Sequence, residues 1–87
     1  MRSEEMDRQT AVRNFTLMLM YLNSWQERAD EMRRCWKGYD FSVLDRLEEE
    51  DLIVTSHRAK SAYLTEEGER AALALLRDYG VAASKAG

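Results

Sequence analysis

The chain has 87 residues, 45% hydrophobic and 33% charged, with a net charge of −3. That length suits one small domain and not two, and ample hydrophobicity with low net charge excludes a disordered polymer. A single cysteine excludes a disulfide scaffold, and the acidic balance argues against a surface broadly adapted to nucleic acid or anionic lipid.

There is no proline, where average usage would give roughly four. Helix and strand ends must therefore be made by capping side chains and glycines. The first helix is expected from about Glu5 to Asn23. Ala11, Phe15, Met18, Leu19 and Leu22 recur along it at helical spacing. Val12, Leu17, Met20 and Tyr21 widen that stripe until little polar face remains, and such a helix is covered by other helices or by a second subunit. Met18 and Met20 are expected in the core.

Ser24-Trp25-Gln26-Glu27 has the pattern of a capping box. Trp25, Ala29, Met32 and Trp36 follow at i, i+4, i+7 and i+11, one face of a helix. The spacing predicts a second helix over 25–36, either separate or continuing the first past a bend at Asn23-Ser24. Both tryptophans are expected in its apolar face, with Trp36 beside Lys37 and Tyr39 as an alternative groove rim. Gly38 is expected to end the helix in the left-handed conformation.

Asp40 is the next N-cap, with Phe41, Val43, Leu44 and Leu47 as the apolar face of a third helix ending near Asp51. Leu52-Ile53-Val54-Thr55 and Ser61-Ala62-Tyr63-Leu64 read as two strands. The basic segment His57-Arg58-Ala59-Lys60 joins them into a small antiparallel hairpin. Thr65 caps the last helix, with Glu66, Glu67 and Glu69 favoured by the dipole in its first turn. Ala72, Leu75, Leu76 and Tyr79 should face inward, and Gly80 ends it. Residues 1–80 form one domain in this reading, and 81–87 a flexible tail.

Helix, strand, short basic loop, strand, helix is the second half of a winged helix-turn-helix domain. Leu44-x-x-Leu47 running through Glu48–Asp51 into Leu52-Ile53, and Tyr63-Leu64-Thr65-Glu66-Glu67-Gly68, resemble the recognition-helix exit and the step after the wing in MarR- and PadR-type regulators. The ordered set Trp36-Lys37-Gly38-Tyr39-Asp40, Leu44-Asp45-Arg46-Leu47, Ala59-Lys60-Ser61 and Leu64-Thr65-Glu66-Glu67-Gly68 is similar to a family of small bacterial proteins known only as a domain of unknown function. That resemblance covers about residues 8–79. It implies a mainly α, winged-helix-like α+β fold with three or four helices and a small antiparallel hairpin, and it brings no activity or ligand. Repressors of this class carry two short helices before the wing, so residues 25–36 would have to serve as the supporting helix.

Recognition helices meet base edges through their N-terminal turns. Here residues 41–51 hold one basic residue, Arg46, against five acids, a net of −4. Phosphate would repel such a helix. Positive charge lies instead at Arg28, Arg33, Arg34 and Lys37 and at the wing residues Arg58 and Lys60. These six with Arg46 are the candidate nucleic-acid contacts. The competing reading makes them solvated charges, with Glu27, Asp30 and Glu31 pairing locally.

No catalytic, cofactor or metal site can be assembled. One cysteine and one histidine do not complete a zinc site, and the four glycines, at 38, 68, 80 and 87, are isolated. Cys35 with His57 is the sharpest nucleophile–base idea, but an inert, half-buried or buried thiol is the expectation, with a pKa lowered by the arginines beside it, and hence a reactive thiol, as the side reading. The acidic run Glu48–Asp51 sits where the helix dipole disfavours it, so a basic partner would relieve it. The longest apolar run, Leu17–Leu22, is far short of the ~20 residues of a membrane span. The charged stretch Arg2–Arg8 leads into no secretory leader. The expected protein is a cytoplasmic, non-enzymatic interaction or regulatory module, homodimeric through its first or last helix. The alternative is a transcriptional regulator holding DNA through the wing.

Overall fold

In a computed structural model, residues 6–56 and 58–82 are described. The elements run α1 (Arg8–Leu22), β1 (Arg34–Trp36), α2 (Phe41–Glu49), β2 (Ile53–Val54), β3 (Ser61–Leu64) and α3 (Glu66–Asp78). The sheet order is β1-β3-β2, both pairings antiparallel. Three helices pack beside a three-stranded sheet, and the segment between β2 and β3 takes the place of the wing in this winged-helix-like α+β fold. The expected tail residues 83–87, the expected helix start at Glu5 and the expected wing-tip His57 lie outside the described residues.

Each helix begins on a side-chain cap, as a chain without proline requires. Asp7 Oδ1 accepts from Thr10 N at 2.8 Å, Asp40 Oδ1 from Ser42 N at 3.1 Å and Thr65 Oγ1 from Gly68 N at 2.9 Å. The helix ends are equally local. Gly80 takes φ +75 while its N–H donates to Arg77 O and that of Val81 to Leu76 O, a Schellman closure. The end of α2 is closed the same way, with Asp51 at φ +63 in the glycine position and Leu52 N donating to Leu47 O.

The expected second helix is absent. Among residues 23–40 the described structure holds turns and bends, a single bridge residue at Trp25 and strand β1. The Ser24 hydroxyl does not turn forward to cap a helix. It donates to Tyr21 O at 2.5 Å and accepts from Arg33 Nε at 2.6 Å, closing the end of α1. Trp25 then pairs with Arg34 through two backbone hydrogen bonds of 2.9 Å. Gln26 Nε2 donates to Glu31 O across the loop between them. A favourable local helix preference over Gln26–Arg34 is overridden by a sheet edge that satisfies backbone groups and sets aromatic side chains on a pleated face. Gly38 therefore ends a strand and not a helix, and its φ is not positive.

The core lies between the helices and one face of the sheet. Leu17 and Met20 from α1, Leu44 and Leu47 from α2, Leu52, and Ala72 from α3 meet Cys35, Ile53, Ala62 and Leu64 from the strands. Met18 is buried as well, and both methionines lie inside as expected. Six inward assignments are corrected. Phe15, Leu19 and Leu22 are about half exposed, because the core takes the neighbouring stripe of α1. Phe41 is 77% exposed at the first position of α2, where it precedes the buried turn at Leu44. Tyr79 is 50% exposed past the end of α3 and packs edge-on against Phe15. Trp36 is 61% exposed because strand alternation turns it away from buried Cys35.

Candidate functional site

Strand alternation and register decide which side chains share the outward sheet face. Arg34 lies opposite Tyr63, Trp36 opposite Ser61 and Val54 opposite Tyr63, while Cys35, Ala62, Ile53 and Leu64 turn inward. Trp25, paired with Arg34 on the far edge of β1, brings its ring to 5.1 Å from that of Trp36. The two tryptophans meet through strand pairing, and the expected shared helix face does not form. Arg34 lies over Tyr63, its Cζ 5.2 Å from the ring centroid, and its Nη2 donates to Tyr63 Oη at 2.8 Å. Pairing on both sides fixes this guanidinium against the sheet.

At one end of this face stands the wing. Lys37 continues β1, its N–H donating to Lys60 O, and its Nζ donates to Ser56 O at 2.6 Å. Lys37 is thereby drawn onto the segment that carries Arg58 and Lys60. Of the seven candidate nucleic-acid contacts, these three share one place. The other four have partners. Arg33 donates to Ser24 O and Oγ and lies over Tyr21, bracing the end of α1. Arg34 holds Tyr63, and Arg28 sits 3.6 Å from Asp30 in an exposed pair. Arg46 reaches Glu50 at 3.1 Å and lines a shallow cleft between α1 and α2 with Arg8, Val12 and Arg13.

The acidic end of α2 has the basic partner that its placement calls for. Arg13 of α1 donates to Glu50 Oε1 from both Nε and Nη2, at 3.0 and 2.8 Å. Burial alone would raise the Glu50 carboxyl, but the hydrogen bonds from Arg13 and Arg46 outweigh it and hold its pKa below the ordinary value. Glu48 accepts from Thr55 Oγ1 at 2.9 Å, tying the same helix end to the strand after it.

Cys35 is buried in the core, and burial pushes its thiol up to about 11. The lowering expected from neighbouring arginines does not occur, since Arg34 points to the opposite face of the strand. Among the described residues no group of three or more His, Cys, Asp or Glu is placed to hold a metal ion, and no helix is long and apolar enough to cross a membrane.

Sequence reasoning missed Tyr63 and Val54 as surface residues and took Trp25 and Trp36 mainly for core. Arg34-Cys35-Trp36 carried no usable alternation, since Cys35 and Trp36 are both apolar, so nothing local outweighed helical spacing over 25–36.

The architecture and this surface define a small winged-helix-like α+β domain in which one helix, α2, stands between the first two strands where a helix-turn-helix has two. The chain belongs to the family described as a domain of unknown function (DUF6429), whose model matches residues 8–82. No curated protein and no solved structure matches the chain.

Proposed function

We propose that this protein is a non-enzymatic interaction module that uses the outward sheet face to bind another protein. The observation that carries this reading is the grouping of Trp25, Arg34, Trp36 and Tyr63 on a sheet face that no helix among the described residues covers. Trp, Tyr and Arg dominate the energetically decisive centres of protein interfaces, and here pairing already fixes the arginine, which lowers the ordering cost of binding. The basic rim of Lys37, Arg58 and Lys60 suits a partner with an apolar centre and acidic edges.

Electrostatics disfavour duplex reading. The helix in the recognition position carries −4 over residues 41–51, its arginine is engaged by Glu50, and the helix that would support it is absent from the described residues. A second reading has one observation in its favour, the convergence of Lys37, Arg58 and Lys60 on the wing. In that reading the protein is a transcriptional regulator of MarR or PadR type that grips phosphate through the wing.

The two readings separate in one titration series. The chain has two tryptophans, and both lie on the proposed surface, so intrinsic fluorescence reports its occupancy. Partners cross-linked in the native cell should be lost with Trp36→Ser. The purified partner should shift the fluorescence of the native protein, and generic duplex DNA at low salt should leave it unchanged. Duplex binding that weakens with salt and disappears in Arg58→Ala/Lys60→Ala would overturn the interaction reading in favour of the second.

A further inference from the structure

Helix α1 carries one apolar stripe more than a single chain uses. Leu17 and Met20 fill the core, yet Val12, Phe15, Leu19 and Leu22 all stay more than two-fifths exposed. Their spacing of three, four and three residues is the narrow seam along which helices pair. Tyr79 broadens the seam at Phe15, with ring centroids 5.5 Å apart in an edge-on contact. From Asn14 to Gln26 the sequence contains no charged residue, so nothing along the middle of this face resists desolvation. Arg8, Gln9 and Asn23, all exposed, form its polar ends.

We propose that this seam pairs with the same seam of a second copy of the chain, antiparallel about a two-fold axis. The five side chains offer on the order of 500 Å² of apolar surface at their observed exposure. A standard interface buries about 800 Å² per partner and is roughly 60% apolar, so the seam supplies the apolar centre that one such interface needs. A two-fold contact requires a self-complementary patch, and this one is: reversing the helix about its midpoint sets Val12 against Leu22 and Phe15 against Leu19. Charge selects the antiparallel sense. A parallel pair would bring the exposed Arg8 of both chains together. The antiparallel pair places the two Arg8 side chains at opposite ends of the seam. The pairing does not depend on what the sheet face binds.

Sedimentation equilibrium on the native chain reads the proposal directly. A dimer mass at micromolar concentration is expected, with Leu19→Glu weakening association by about 100-fold or more, since it would bury a carboxylate at the seam. Leu19 is exposed, so the variant should keep the native circular dichroism. A monomer mass for the native protein at high micromolar concentration overturns the proposal, as does a Leu19→Glu protein that still dimerises. Mild oxidation tests the sense of pairing. Phe15→Cys mixed with Leu19→Cys should give the mixed disulfide, and a Leu19→Cys homodisulfide formed in preference would overturn the antiparallel arrangement.

Discussion

Gly68 shows how much one hydrogen atom in place of a side chain can decide. It lies buried in the first turn of α3, its N–H held by Thr65 Oγ1. A Cβ there would fall well inside van der Waals contact of the Leu52 carbonyl, which is itself accepting from Thr65 N. Backbone does not move aside as a flexible side chain would. The close approach of α3 to the segment entering β2 therefore depends on glycine, independently of φ, which is not positive here. Gly68→Ala is expected to cost about 2–3 kcal/mol despite alanine's better helix propensity. Gly38→Ala, where a Cβ meets nothing within 4 Å, should change stability by no more than about 0.5 kcal/mol. Urea titration of both variants checks the contrast. Equal midpoints would mean that α3 and Leu52 are not in close contact.

At the scale of elements, caps and buried leucines were legible in the sequence and the identity of one element was not. Asp40 and Thr65 sit where a short polar side chain can reach two or three residues ahead, and that is a local property. Leu44, Leu47, Ala72 and Leu76 fall on faces fixed by helical period. Residues 25–36 fit a helix equally well by period, but the decision was made elsewhere, by β3 offering hydrogen bonds to Arg33–Lys37. The sheet face that follows from this pairing was for the same reason out of reach. The stripe of α1 that enters the core was likewise set by its neighbours, because a helix apolar nearly all round offers two choices. The tie between α1 and α2, Arg13 to Glu50, spans 37 residues and had no local signal. It does have a pH signature. The folded pKa of Glu50 is depressed, so its contribution is present above the unfolded value of about 4.3 and is lost as pH falls through the folded value. Glu50→Gln should lower stability at pH 7 by up to about 1 kcal/mol, as expected for a partly exposed pair. It should also remove part of the acid-side decline seen in the native protein. Stability curves for the two proteins that run parallel from pH 7 down to pH 3 would show that Glu50 is not coupled to folding.

For the whole molecule, the controlling fact is that one core serves every element. Helices cover a single face of the sheet, and Leu44 and Leu47 of α2 belong to the same buried cluster as Leu17 and Met20 of α1, Ala72 of α3 and the inward residues of all three strands. A chain of this size buries only about 60–65% of its unfolded surface, so its net stability is a few kcal/mol. Damage to that cluster cannot be confined. Leu44 is buried while its neighbours Ser42, Val43 and Asp45 face partly or wholly outward. Leu44→Asp would place a carboxylate among leucines with no cation in the cluster to pair it, a cost of several kcal/mol that exceeds the total. The expected result is loss of the whole fold in one step, seen as simultaneous loss of helical circular dichroism and exposure of both tryptophans by fluorescence. The tryptophans lie on the sheet, away from the substituted helix, so they test whether the sheet stands alone. A variant that loses helix signal but keeps Trp25 and Trp36 in contact would show that the sheet and the helices are separate folding units.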